Sequence, residues 1–180
     1  MKKAPNGFHF HSNGGGLVAN TAHVDGNARV SGNAWVYGDA QVYGEARVYG
    51  EARVYGDARV YGEARVYGDA RVYGDARVSG NARVSGDAWV YGEARVYGEA
   101  RVSGDARVSG NAWVSSPLYI QGTRHSLTNC KHGFIAIGCH EHTFEYWQEH
   151  YKAIGRAEGY TEAEIEQYGL FIKMFVKIGK

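Results

Sequence analysis

The sequence predicts a mainly β fold in which the chain winds into stacked coils, followed by a small ββαα unit. Three observations predict it. Valine stands at every sixth position from Val18 to Val114, and Ile120 keeps the phase, which gives eighteen units. Alanine stands two places before each valine from Ala22 to Ala112 without a miss. The repeat then stops at Gly122, and the composition changes to longer apolar spacings. A short period of this kind marks a repeat architecture.

Each unit reads Gly, Asp/Glu/Asn, Ala, Arg, Val, then Tyr or Ser, and it accounts for much of the 26 glycines and 14 tyrosines in 180 residues. Alanine and valine are two apart, so in an extended segment they point to one side, while the Arg and Tyr positions point to the other. The Gly-acid pair is turn chemistry, with glycine able to take positive φ. A strand this short buries no core alone. Stacking identical strands by coiling the chain does bury one.

With those residues in view, the run from Ala28-Arg29-Val30 to Ala112-Trp113-Val114 resembles the hexapeptide repeat of left-handed parallel β-helix proteins. The resemblance covers residues 17–122 and implies triangular coils of three hexapeptides each, about six in all, wound with a left hand. At roughly 4.8 Å between parallel strands, such a prism is about 29 Å long. Glycine here falls two places after the aliphatic residue, as in Val48-Tyr49-Gly50, whereas many acyltransferase members have it directly after. That brings the repeat closer to the G-[DN]-A-R-V-Y type of phage and prophage proteins. The kinship implies a host protein or host signalling molecule as partner, and a role in virus–host interaction or anti-defence.

The expected domains are an N-terminal cap at 1–16, the coils at 17–122 and a C-terminal unit at 123–180. Coil ends are unpaired strand edges and need covers. Phe8-His9-Phe10-His11 alternates like a strand before Gly14-Gly15-Gly16 and suits the front. At the back, Leu127 to Ile137 reads as two strands about a turn at Lys131–Gly133. Phe144, Trp147, Tyr151 and Ile154 then share one helical face, and Gly159 is placed to end that helix. Thr161-Glu162-Ala163-Glu164 has the capping-box pattern of a second helix, with Ile165, Tyr168, Ile172 and Phe175 as its apolar stripe. Gly122-Thr123-Arg124, Ile137-Gly138-Cys139 and Thr143 are similar to segments that follow such repeats in phage and prophage proteins, a resemblance that brings no chemistry with it.

Every third unit lies on the same side of a triangular coil, so the outward residues sort into faces. One face carries Tyr37, Tyr55, Tyr73 and Tyr91 in an unbroken ladder beside Trp35, Arg53, Arg71, Trp89 and Arg107. A second lines up Arg29, Arg47, Arg65, Arg83 and Arg101. The third is mixed, with His23, Gln41, Arg59, Arg77, Arg95 and Trp113. Rigid aromatic side chains mixed with arginine are the material of protein interfaces. The aromatic face is therefore the expected binding site, with self-association into a dimer or trimer and a protein partner as its uses.

The other functional classes find less support. Nucleic-acid or nucleotide binding along the arginine ladder is a second alternative, but residues 21–116 hold 11 Arg against 12 Asp and Glu, and the whole chain 20 basic against 19 acidic residues. Such a balance creates no steering field. A trimeric acyltransferase relative is the first alternative; the repeats offer it only His23 near one end. No cofactor or metal site is expected, and a binding scaffold is favoured over an enzyme.

In the C-terminal unit, a turn at Lys131–Gly133 brings Cys139 near His125, with His140 and His142 on one side of an extended segment. Cysteine and histidine within reach suit zinc or a thiolate nucleophile. Cys-His-Glu-His matches no metal signature, however, and the expectation is a buried structural cysteine beside partly exposed histidines. With two cysteines and no apolar signal core at the start, a cytoplasmic protein with reduced thiols is expected, without a membrane span.

Overall fold

A computed structural model describes residues 3–110, 112, 113 and 115–179. It forms two compact units, Met1–Asp105 with Ser109–Ser116, and Ala106–Val108 with Pro117–Lys180.

The first unit is a parallel β-solenoid of about five turns. Each hexapeptide supplies a two-residue strand, as at Arg29–Val30, Trp35–Val36 and Gln41–Val42. Strands eighteen residues apart pair in parallel, so Val36 aligns with Val54 and Val72 with both Val54 and Val90. Three sheets result, one per side of the coil. From Ala28 to Val102 every repeat alanine and valine is fully buried. Over these turns the narrow inside of the coil is filled by these two small residues alone.

Backbone pairing runs from coil to coil: the Trp35 N–H donates to Ala52 O and the Tyr37 N–H to Val54 O, each at 3.0 Å. The corners depend on glycine. Gly68 has φ +72°, and a Cβ placed there would stand 3.0 Å from the Gly86 nitrogen in the next coil. A side chain is thus excluded twice, by backbone conformation and by stacking distance. At the front, Phe8–Phe10 pairs antiparallel with Leu17–Ala19.

At the other end the register slips. Arg95 aligns with Ala112 and Val96 with Trp113, seventeen residues apart instead of eighteen. A slip of one residue exchanges the two faces of a strand. Trp113, expected outside on the mixed face, is consequently turned inward at 2 % exposure, its indole N–H donating to Gly110 O at 2.9 Å. Ser115-Ser116-Pro117 breaks the repeat just beyond this point. Val114, expected to carry the inward phase here, falls outside the described residues.

Ile120 does not extend the array. It lies in Tyr119–Gln121, the first strand of an antiparallel four-stranded sheet in the second unit, followed in order by Ser126–Lys131, Phe134–Ile137 and His140–Thr143. The expected hairpin is therefore flanked by two further strands, and the coils are fewer than the eighteen units suggested. Helices α1 (Phe144–Ala157) and α2 (Glu162–Ile178) complete the unit.

Both helices begin as the sequence dictates. The Thr143 hydroxyl accepts from the Tyr146 N–H. At α2 the capping box is closed reciprocally: Thr161 accepts from the Glu164 N–H, and the Glu164 carboxylate accepts the Thr161 N–H at 2.7 Å. The core joins Leu127, Ile135 and Ile137 of the sheet to Trp147 of α1 and Tyr168, Ile172 and Phe175 of α2. Gly155 allows α1 and α2 to approach, since a Cβ there would meet Ile165 Cγ1 at 2.8 Å.

Candidate functional site

The aromatic face is built by the register alone. Because Tyr37, Tyr55, Tyr73 and Tyr91 follow aligned valines, their rings fall at the strand spacing and stack: 4.8 Å and 2° for the first pair, 5.0 Å and 4° for the second, 5.3 Å and 10° for the third. Elsewhere among the described residues of the solenoid, Tyr43 stacks on Tyr61 and Tyr49 on Tyr67. Trp35 is 37 % exposed, with its ring edge-on to Phe8 at 5.5 Å. Trp89 is edge-on to Tyr73, and the Arg71 guanidinium lies over its indole at 5.0 Å. Arg53 is exposed between them in register. Burial in the stack, with Tyr55 adjacent, raises the Tyr37 hydroxyl above its ordinary range, so it remains a neutral donor and acceptor.

The arginine ladder is also in register, with Arg29, Arg47, Arg65, Arg83 and Arg101 successive in one sheet. Corner side chains bond from coil to coil beside it: the Asn33 amide donates to Glu51 at 2.7 Å and that of Asn81 to Glu99 at 2.8 Å. His23 sits 3.0 Å from Asp25.

Arg107 lies on the short strand Arg107–Val108. It belongs to the second unit, where its backbone N–H donates to Thr128 Oγ1 and its Nη1 donates to Gly138 O at 3.1 Å. There it lines a cavity of about 380 Å³ together with His125, Cys139 and His140. Three of the four C-terminal residues singled out by sequence thus meet at one site. The fourth, His142, shares its strand side with His140 at 6.1 Å between rings, but turns to Tyr146 at 4.2 Å and the edge of Trp147. Burial, reinforced by His140 and His150, lowers its pKa, which favours the neutral imidazole.

Several cavity residues carried no signal in the sequence. Glu158, at the end of α1, lies 3.0 Å from His140 Nε2. Tyr160, in the connection between the helices, stands edge-on to Tyr168, and burial there pushes its hydroxyl up to about 12. The apolar walls come from Trp147, Tyr151, Ile154 and Ile172, the same stripes that identified the helices. Helical periodicity marks residues that face inward, but not where the inward faces leave a gap.

The expected buried cysteine beside the histidines is not found at Cys139. Cys139 is exposed, and Cys130 is the buried one, its thiol pushed up to about 12 by burial. Cys130 lies in Ser126–Lys131, whose four middle residues are all buried, while Cys139 lies in the turn after Phe134–Ile137. Among the described residues no group of three His, Cys, Asp or Glu side chains is arranged to hold a metal ion. None of the described helices is long and apolar enough to cross a membrane.

Comparison with curated proteins and with solved structures gives no match. A family model does match, that of the YdcK β-solenoid repeat, over residues 26–38, 52–63, 64–77, 76–92 and 100–116. These segments are the stacked hexapeptides described above, and 117–179 lie outside them. The array is thus a β-solenoid repeat similar to the YdcK β-solenoid repeat family.

Proposed function

We propose that the protein is a non-enzymatic binding scaffold that self-associates through the aromatic face. The observation that carries this reading is the stacked ladder from Tyr37 to Tyr91, flanked by Trp35 and Trp89. Its rings repeat at 4.8–5.3 Å. A second copy of the chain presents the same spacing by construction, so tyrosines and arginines of two faces interdigitate along their whole length. An unrelated surface matches such a period only locally. Flat aromatic groups with arginine supply contact area at small entropic cost.

Absolute molar mass by light scattering tests the proposal, on the native chain and on the Trp35→Arg/Trp89→Arg variant. Both substitutions restore the residue found at the equivalent place in most repeats, so the coil persists by circular dichroism. The expected result is an oligomer that dissociates in the variant. A monomer in both, or an oligomer unchanged by the substitutions, overturns the assignment.

A further inference from the structure

The cavity of the second unit is a different kind of site. Its volume of about 380 Å³ falls at the small end of the roughly 300–1,000 Å³ usual for small-molecule pockets. Its walls are apolar and aromatic, with Trp147, Tyr151 and Ile154 from α1 and Ile172 from α2. The polar lining differs in kind from group to group. Glu158 is engaged with His140 at 3.0 Å. Cys139 is exposed. Arg107 brings a positive charge, and its planar fork matches the oxygens of carboxylate-like acids. Its hold on Gly138 O, 3.1 Å away and itself part of the lining, fixes the guanidinium in the cavity wall.

We infer that this cavity binds a small organic anion with a flat apolar body, its acidic group on Arg107 and its body against Trp147 and Tyr151. An apolar site with one fixed cation selects an amphipathic acid. A small inorganic anion would leave the walls bare, and a neutral hydrophobe would make no use of the charge in the wall. The inference does not depend on self-association through the aromatic face, and its test reads a different quantity.

The probes are anilinonaphthalene sulfonate and its uncharged counterpart phenylnaphthylamine, each titrated by fluorescence into the full chain. The sulfonate should saturate at one site per chain. Arg107→Gln, which keeps a donor for Gly138 O and removes the charge, should weaken the sulfonate at least about tenfold while changing the neutral probe by less than about twofold. Bound sulfonate should also slow alkylation of Cys139 by N-ethylmaleimide. The inference is overturned by a sulfonate signal that does not saturate, by equal losses for the two probes in Arg107→Gln, by no loss for either, or by Cys139 alkylation that ignores the bound dye.

Discussion

The Tyr168 hydroxyl clasps His125 at both ends of its backbone, accepting the His125 N–H at 2.7 Å and donating to the His125 carbonyl at 2.8 Å. It also accepts the Arg124 N–H at 3.0 Å. One phenol of α2 thereby fixes the turn from which His125 reaches the cavity. Removing it strands two backbone donors in a partly covered place, while the His125 carbonyl keeps the Gly122 N–H. Tyr168→Phe should destabilise the second unit by about 1–3 kcal/mol, the usual cost of orphaned hydrogen-bonding groups. Faster hydrogen exchange at the Arg124 and His125 amides, in a chain whose solenoid amides exchange as before, is the reading that checks it.

The corner glycines of the solenoid should be sharply unequal to glycines outside the stack. Gly68→Ala places a side chain at φ +72° and 3.0 Å from the Gly86 nitrogen, whereas Gly26 has open space around it and ordinary φ. We expect Gly68→Ala to cost about 1–3 kcal/mol and Gly26→Ala to be close to neutral, from the left-handed penalty alone about 1–2 kcal/mol. Urea denaturation of the two variants side by side distinguishes them.

Acid should loosen the start of α2 before the rest of the helix. The Glu164 carboxyl is held below its ordinary range, first by the Thr161 backbone N–H and then by the Thr161 hydroxyl and Arg124. With the folded pKa depressed, the stabilisation is complete above the ordinary glutamate range and is lost as pH falls through the lower folded value. Glu164→Gln keeps an acceptor and should flatten that acid dependence, followed by amide exchange or chemical shift at Thr161 and Glu164.

One thiol should react in the native chain and two after unfolding. Cys139 is exposed, while Cys130 is enclosed and its thiol is pushed up to about 12. At pH 8 a chromogenic disulfide should titrate Cys139 alone, since the thiolate is the reacting form. A Cys139→Ser chain that still reacts at once without denaturant would contradict this.

The legible parts of this molecule were those written as periods. Alanine and valine at six-residue spacing located the core, and adding the three-sided coil placed Tyr37, Tyr55, Tyr73 and Tyr91 on one line, as the stacked rings now have them. The Thr161–Glu164 cap was equally readable, because it is a local exchange of hydrogen bonds. What escaped lay where the period ends. Trp113 moved inward on a single-residue slip that no composition signals, and Arg107 kept the repeat's spelling while its side chain took Gly138 O as acceptor. The cavity was half legible: His125, Cys139 and His140 were visible as a cluster, but Glu158 and Tyr160 join them only once α1 has folded back over the sheet.

The three-sided register makes the array indifferent to some changes of length and intolerant of others. Losing eighteen residues deletes one turn and leaves every remaining tyrosine on its own column. Losing six leaves the alanine and valine core equally intact, yet hands each downstream residue to a neighbouring side, so that the position after Tyr73 in its column would be filled by Tyr97 in place of Tyr91. Slippage between nearly identical repeats can thus rewrite the surface without disturbing the fold, and the column of aromatic rings is a record of whole turns gained or lost.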